Sequence, residues 1–175
     1  MTSEADPVVD DYIGVHLFND LRWLLVAATT WSVCKANPER TEAWPPHLIV
    51  MAEDSVLVHA RALFEKLTGP KYWEGRLQLA QWPISELWDD YSSAVNQKVM
   101  HLSPKRPYAP GVLPGDDLPD QVASLAQAAL DLLDDFARCE EVEPYRPTIV
   151  ATRTKAIAEA QRSAAWLGVD QIYRI

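Results

Sequence analysis

The chain has 175 residues, of which 48% are apolar and 23% are charged, and its formal net charge is −9. This length supplies one ordinary domain with a continuous core, and it excludes a mini-protein held together by metals or disulfides. The negative charge disfavours generic binding to DNA or RNA, because such binding uses many Lys and Arg contacts with phosphates.

The positions of the thirteen prolines divide the chain into candidate helices. Proline breaks helix interiors, so the stretches between proline clusters are the segments that can remain helical. The clusters lie at position 7, 38–46, 70–83, 104–119 and 144–147. Five windows remain, and the low glycine content of 6 residues also favours helices over turn-rich sheets.

The first two windows carry apolar residues at helical spacing. The window from Asp11 to Ala36 is predicted to be an amphipathic helix, because its apolar residues recur at spacings of four and three. These residues are Leu17, Leu21, Leu24, Ala28 and Trp31. The window from His47 to Leu67 is apolar on more than one side, which predicts a helix at the centre of its bundle.

The third and fourth windows are also predicted to be helices. The third runs from Ile84 to Ser103, and Pro104 stops it. The fourth runs from Leu118 to Cys139, and its apolar residues recur at alternating spacings of four and three over three heptads. Asp116 and Asp117 are candidates for its N-cap.

The last window completes an all-α fold. It runs from Thr148 to Leu167, is rich in alanine with a thin apolar face, and has Gly168 as a C-cap candidate. No segment has the alternation and turn residues of a β-hairpin. The sequence therefore predicts a four- to five-helix bundle, up-and-down or partly crossed, with long Pro-rich connectors at 68–83 and 104–117 that form ordered caps over the bundle ends.

Charge is divided unevenly between the bundle and its C-terminal part. Residues 109–145 have a net charge of −8, whereas residues 146–175 have a net charge of +3. We therefore expect a single domain in which residues 1–145 form the core and residues 146–175 pack on it, or on the acidic face of a partner subunit. The apolar groups that would support a homodimer are Trp166, Ile172, Tyr173 and Ile175.

Two helices carry dense polar clusters that are candidates for a ligand site. The candidate residues are Glu53, His59, Arg61, Asn96, His101 and Arg106. Arg61 shares a stripe with Leu57 and Phe64, so we expect it to point partly inward and to pair with a carboxylate of Glu53, Asp54 or Asp90. Two interpretations stay open: a structural ion pair that sets helix register, and a ligand site. His59 is predicted to be a hydrogen-bonded core histidine, and His101 either caps its helix or acts in catalysis.

No metal and no cofactor are predicted. The bundle lacks a Glu-x-x-His pair, and the triplet of Asp131, Asp134 and Asp135 is typical of a solvated face. Glycine-rich phosphate loops and dinucleotide fingerprints are absent from the sequence. Cys34 and Cys139 lack metal-ligand spacing, which favours reduced thiols.

The sequence shows no targeting or membrane segment. Its start is acidic, and its longest strictly apolar run has six residues, whereas a membrane span needs about 20. We therefore expect a cytoplasmic protein without a membrane partner.

The stretch from Glu53 to Arg106 resembles a known group. The strings EDSVLVHARALFEKL and VNQKVMHLSPKR are similar to a widespread group of small, uncharacterised bacterial helical proteins. Their pattern couples a His-x-Arg helix to a later His-Leu-Ser/Thr-x-x-Arg motif. That group resembles the HEPN superfamily of helical bundles, many of which are RNA-cutting toxins or nucleotide-binding partners in bacterial defence modules.

The resemblance implies two alternative functions. The HEPN nuclease pattern places an arginine shortly before its histidine, but Asn-Gln-Lys-Val-Met precedes His101. We therefore expect a non-catalytic binding or regulatory module, whose partner is a protein or a small polar ligand near Arg61 and His101. The alternative is a metal-independent ribonuclease, a toxin of a defence or toxin–antitoxin module, in which His101 acts with Arg61 or Arg106.

Overall fold

The computed structural model describes residues 5–36, 48–100 and 121–167, without the side chains at 94 and 97–100. Over these ranges the chain is helical with no strand, which confirms the predicted all-α bundle. The helices are α1, which runs through Pro7–Asp11, a π-helical Tyr12–Leu17 and Phe18–Ala36; α2, Leu48–Leu67; α3, Glu86–Met100; α4, Val122–Arg138; and α5, Arg146–Trp166. Short 3-10 segments, Pro70–Tyr72 and Glu140–Tyr145, lie in two connectors.

Two helices begin earlier than predicted, and in both cases proline is the reason. α1 begins at Pro7 rather than Asp11, and the Asp6 side chain caps it by accepting a hydrogen bond of 2.8 Å from the backbone N–H of Val8. α5 begins at Arg146, with a proline in its first turn. Proline is unfavourable inside a helix but suits the first turn, where its missing N–H has no helical partner.

The predicted ends of α3 and α4 are only partly described. α3 begins at Glu86, two residues later than predicted, and the Ser85 hydroxyl accepts a hydrogen bond of 3.3 Å from the Trp88 backbone N–H. The predicted stop at Pro104 lies outside the described residues. So do the N-cap candidates of α4, Asp116 and Asp117, and α4 as described begins at Val122.

The helices alternate in direction, and α1 is the helix on which the others assemble. It packs most extensively against α2 and α5. α2 is antiparallel to α1, because Trp73, just beyond the end of α2, contacts Tyr12 near the start of α1. α5 is parallel to α1, because Thr148 donates a hydrogen bond to Asp10 at the start of both helices.

Stacked aromatic rings close one end of the bundle. Phe136 near the end of α4 stacks on Trp73 and Trp82, with ring centroids 5.5 and 6.4 Å apart. The Trp73 indole is buried and donates a hydrogen bond of 2.8 Å to the Lys66 carbonyl. Phe64 of α2 stacks on Trp88 at 4.9 Å. The connector after α2 therefore covers the bundle end, as predicted for residues 68–83, whereas the 104–117 connector lies outside the described residues.

The C-terminal helix lies on the bundle of its own chain. α5 packs chiefly on α1 and only lightly on the acidic α4. Its buried residues are Ile149, Thr152, Ala156, Ala160 and Ala164. Arg153 of α5 and Asp134 of α4 form an ion pair of 3.1 Å, and both side chains are partly exposed. Because exposed ion pairs stabilise a protein little, the burial of apolar surface rather than charge attraction holds α5 on the bundle.

α2 packs against α1, α3 and α4, in agreement with the central position that its sequence predicted, but it is not buried on every side. One half of its surface is buried, and Val50, Met51 and Val58 on the other half are exposed. No helix in the described part of the chain is long and apolar enough to cross a membrane.

Candidate functional site

The structure places four of the six predicted site residues. Glu53, His59 and Arg61 lie on α2, and Asn96 lies on α3. His101 and Arg106 lie outside the described residues, so the predicted approach of His101 to Arg61 is not part of the described structure. The polar groups that do converge are those around His59.

His59 belongs to a cluster that joins α1 and α2, which we call the Asp20 cluster (Asp20, His59 and Lys66). The Nδ1 atom of His59 lies 3.0 Å from Oδ1 of Asp20, and the Lys66 ammonium donates to the other carboxylate oxygen. The side chains are 16%, 24% and 12% exposed in the order of the name. The cluster therefore lies at the edge of the α1–α2 interface, and His59 is hydrogen-bonded, as predicted, but is not a core residue.

The Asp20 carboxylate sets the chemistry of the His59 ring. A carboxylate only accepts hydrogen bonds, so Nδ1 carries a proton, and Nε2 accepts in the neutral ring and donates in the charged ring. No hydrogen bond to Nε2 is found among the described residues. His59 can therefore bind a ligand group through Nε2, or transfer a proton at that atom.

Opposing effects act on the pKa of Asp20. Burial raises the pKa, but hydrogen bonds from His59 and Lys66 and the charges of both groups outweigh burial, so the pKa lies below its ordinary value. Asp20 is thus a carboxylate held in its charged form by the hydrogen bonds that it accepts from His59 and Lys66.

Aromatic rings border the Asp20 cluster. The Lys66 ammonium lies 5.4 Å from the centre of the Tyr12 ring, a distance at which cation and ring attract. Tyr12 also contacts the rings of His16 and Trp73, with centroids 5.0 and 5.1 Å apart. These contacts fix the Lys66 side chain at the end of the bundle where α1 begins.

Arg61 pairs with Glu65, which is not one of the partners expected from the sequence. Its Nε atom lies 2.9 Å from Oε1 of Glu65, one turn later on α2, and Tyr72 donates a hydrogen bond to the same carboxylate. Burial raises the pKa of Glu65, but the hydrogen bonds from Tyr72 and Arg61 outweigh burial. The pKa of Glu65 therefore lies below its ordinary value. The expected partners were Glu53, Asp54 and Asp90, and the recorded ion pair instead follows the usual (i, i+4) spacing.

Between these two polar groups runs an exposed stripe, the α2 face, defined as Met51, Ser55, Val58 and Ala62. Spacings of four, three and four place these residues on one side of the helix. Met51 is 59% exposed and Val58 is 43% exposed. At about 100° per residue, His59 borders the stripe towards α1, and Arg61 borders it on the opposite side.

Asn96 has an unusual environment on α3. Its side-chain oxygen is buried and accepts no hydrogen bond from the described residues. Leaving such an acceptor unpaired costs about 1–3 kcal/mol.

A separate groove of about 530 Å³ lies at the end of α4. It is open, and it is bordered by the connector around Trp82 and Ile84 on one side and by Arg138, Cys139 and Glu140 on the other. The Asp20 cluster and the α2 face contribute no residue to it.

The described residues contain no group of three or more His, Cys, Asp or Glu side chains that could hold a metal ion. Asp131, Asp134 and Asp135 make separate contacts instead: Asp131 accepts a hydrogen bond from Gln127, and the other two pair with arginines.

No protein-family model matches this chain, and comparisons with curated proteins and with solved structures found no match. The interpretation of the site therefore depends on its geometry.

Proposed function

We propose that the protein is a non-catalytic binding module that binds a partner protein through the α2 face. One observation carries this proposal: large apolar side chains on α2 are exposed between two ordered polar groups. Met51 and Val58 lie seven residues apart on one stripe, with ion-paired side chains on each side of them.

This arrangement has the anatomy of a protein interface. Interfaces between proteins have an apolar centre and a polar rim that keeps its hydrogen bonds in water. On α2 the apolar centre is formed by Met51 and Val58, and the rim by the Asp20 cluster and the Arg61–Glu65 pair. The flexible side chain of methionine adapts its shape to an apolar partner surface. The free Nε2 of His59 can form a hydrogen bond with a polar group of the same partner.

The chemistry of the surface favours a protein over a small polar ligand. Small ligands bind in concave sites that enclose most of their surface, whereas the α2 face is the convex side of a helix. A partner helix or loop that offers apolar side chains to Met51 and Val58, and a hydroxyl or N–H donor to Nε2 of His59, fits this surface.

The test uses the full chain and a matched pair of double variants. Met51→Asp/Val58→Asp places two charges on the α2 face, and Val8→Asp/Val150→Asp places two charges at other exposed positions on α1 and α5. Each tagged protein is crosslinked in its native cells, and the captured proteins are quantified by mass spectrometry. We expect one partner to fall by about tenfold or more with the first variant only, because desolvating two charges costs more than about 1.4 kcal/mol.

Circular dichroism of each variant serves as the folding control. A partner captured equally by the wild type and the α2-face variant contradicts the proposal. An equal loss with the control variant contradicts it as well.

A metal-independent ribonuclease is the second candidate, and the His59 geometry is the observation that favours it. An imidazole whose Nδ1 is held by a carboxylate and whose Nε2 is free is the arrangement of a general base, and Lys66 next to it supplies a positive charge. In this candidate His59 takes the proton of a ribose hydroxyl, a role that the resemblance assigned to His101.

Incubation of the purified protein with total RNA and a metal chelator distinguishes the two candidates. A ribonuclease is expected to lose about 10²- to 10⁴-fold of its rate in His59→Ala, and His101→Ala tests the alternative histidine. His16→Ala is the matched control, since His16 is an exposed histidine of α1. Absence of cleavage by the wild type contradicts the ribonuclease and leaves the binding module.

A further inference from the structure

We propose that the groove at the end of α4 binds a short segment of a partner protein in which an arginine lies next to a large apolar residue. This second docking surface is independent of the α2 face, because the groove and that face share no residue. The proposal depends on three features of the groove: an exposed apolar floor, an excess of negative charge, and a connector with unpaired backbone donors.

The floor of the groove is apolar and open to solvent. Ile84 is 68% exposed, and the Trp82 ring, which stacks on Phe136, is only partly buried. A volume of about 530 Å³ lies in the range of about 300–1,000 Å³ that is typical of binding sites in proteins. Large exposed apolar side chains that line a concavity are a common mark of an interaction site.

The rim of the groove has more acidic than basic side chains. Asp135, Glu140 and Glu141 line it with one cation, Arg138, which gives a net charge of −2. Arg138 already forms an ion pair of 2.5 Å with Asp135, and Glu141 accepts a hydrogen bond of 2.7 Å from the connector backbone. No described residue pairs with Glu140, and Arg146 donates to a carbonyl of α4 without lining the groove. The rim therefore favours a segment with a positive charge, which can pair with Glu140.

Arginine matches this groove better than lysine does. Its guanidinium is planar, so it can stack on an aromatic ring and form two parallel hydrogen bonds with a carboxylate. In the groove Trp82 supplies the ring and Glu140 supplies the carboxylate. The same stacking occurs within this chain, where the guanidinium of Arg22 lies 4.5 Å from the centre of the Trp23 ring.

The connector offers backbone donors as well as side chains. Trp82 precedes a proline, which disfavours a helical backbone at Trp82 and favours an extended one. Trp82 and Ile84 both line the groove, as alternate side chains of an extended segment do. The backbone N–H groups of both residues donate to no group of the described residues. A peptide that lies beside such a segment can accept these hydrogen bonds through its own backbone, so the groove fits a peptide better than a small cation.

The first test is a selection of random eight-residue peptides, displayed on phage, against the full chain. Counter-selection against Ile84→Asp removes peptides that bind elsewhere, including any that bind the α2 face. We expect the remaining peptides to share an arginine within two residues of a large apolar residue. A selection that yields no peptide, or only peptides without this pattern, contradicts the proposal.

The second test measures the affinity of the selected peptide by fluorescence anisotropy. Glu140→Lys is expected to weaken binding by about tenfold or more, because repulsion replaces a charge-assisted pair. Glu143→Lys is the matched control, since Glu143 lies on the same 3-10 segment but outside the groove. We expect it to change the affinity by no more than about twofold, because salt screens exposed charges that are not in contact. An equal loss in both variants would show that only general charge attraction holds the peptide.

A charge exchange tests the pair itself. A peptide in which glutamate replaces the arginine is expected to bind Glu140→Lys more tightly than it binds the wild type. The opposite order contradicts Glu140 as the partner of the arginine.

The apolar floor is tested separately. Ile84→Asp is expected to weaken binding by about tenfold or more, because it places a charge under the apolar side chain of the peptide. Val150→Asp, at an exposed position of α5 outside the groove, and Met51→Asp/Val58→Asp on the α2 face are expected to leave the affinity unchanged. Loss of binding in the α2-face variant would assign the peptide to that face instead. Circular dichroism of each variant serves as the folding control.

The Cys139 thiol locates the bound peptide. Cys139 lines the groove, whereas the other cysteine, Cys34, is buried on α1. The bound peptide is expected to slow the alkylation of Cys139 by iodoacetamide, measured by mass spectrometry. An unchanged rate at saturating peptide contradicts binding in the groove.

Three other occupants of the groove would each overturn the proposal. Peptide binding that appears only after deletion of residues 168–175 would assign the groove to the end of the same chain. A wild-type dimer, with twice the monomer mass of 19.7 kDa, that Ile84→Asp dissociates would assign it to a second copy. Free arginine that binds as tightly as the selected peptide would make the groove a small-molecule site.

Discussion

Phe136→Ala is expected to lower the free energy of unfolding by about 3–5 kcal/mol, the range for removing a large buried aromatic ring. Phe136 is fully buried, and its ring stacks on Trp73 and Trp82. Its removal leaves a cavity where α4 meets the connector after α2, and the two indoles lose their stacking partner. Urea unfolding followed by circular dichroism and by tryptophan fluorescence measures the loss.

Val150→Ala is the control for this prediction. Val150 is exposed on α5, so its truncation is expected to change stability by no more than about 0.5 kcal/mol. A loss below about 1 kcal/mol for Phe136→Ala would show that the aromatic stack does not hold this end of the bundle together.

Asp20→Asn is expected to destabilise the protein by about 2 kcal/mol near neutral pH. Asp20 is the acceptor shared by His59 and Lys66, and its removal leaves two cationic or polar groups of α2 without their partner at a mostly buried position. Hydrogen bonds to charged groups contribute about 1.5–3 kcal/mol each. Asp134→Asn removes the more exposed pair with Arg153 and is the control, with an expected change of about 0–1 kcal/mol.

The effect of Asp20→Asn is also expected to depend on pH. The pKa of Asp20 is lower in the folded chain than its ordinary value of 3.8, because His59 and Lys66 together outweigh the effect of burial. A group with a depressed folded pKa stabilises the protein above the unfolded pKa, and this contribution is lost as the pH falls through the folded pKa. The stability difference between the wild type and Asp20→Asn should therefore shrink as the pH falls below 3.8. A difference that grows in acid contradicts this assignment.

Part of the candidate site could be predicted from sequence. His59 and Arg61 are identified by their position on an apolar helix, and the Arg61–Glu65 pair has a spacing that sequence shows directly. Asp20 and Lys66 were missed because they are 46 residues apart on different helices. No local pattern marks such a pair, since it depends on how two helices are rotated about their axes.

The sequence by itself determined that the protein is a bundle and where its helices lie. Proline and the spacing of apolar residues act within a single turn or two, so the stripe of Leu125, Leu132 and Phe136 on α4 predicted the buried side before any partner was known. Among the helix starts that lie in the described residues, the same local rules misplaced those at Pro7 and Pro147, where proline fits the first turn, and at Ser85, where a side chain caps α3.

Only the tertiary structure decided which helix faces which. α5 lies on α1 rather than on the acidic α4, because small alanine side chains allow close apolar packing that is worth more than exposed charge pairs. The same choice of partners leaves Met51 and Val58 exposed, although their apolar character predicted burial. Any apolar neighbour can cover an apolar side chain, so the residue type predicts only that the side chain will be buried. The packing of whole helices determines which apolar side chains are buried within this chain and which remain exposed.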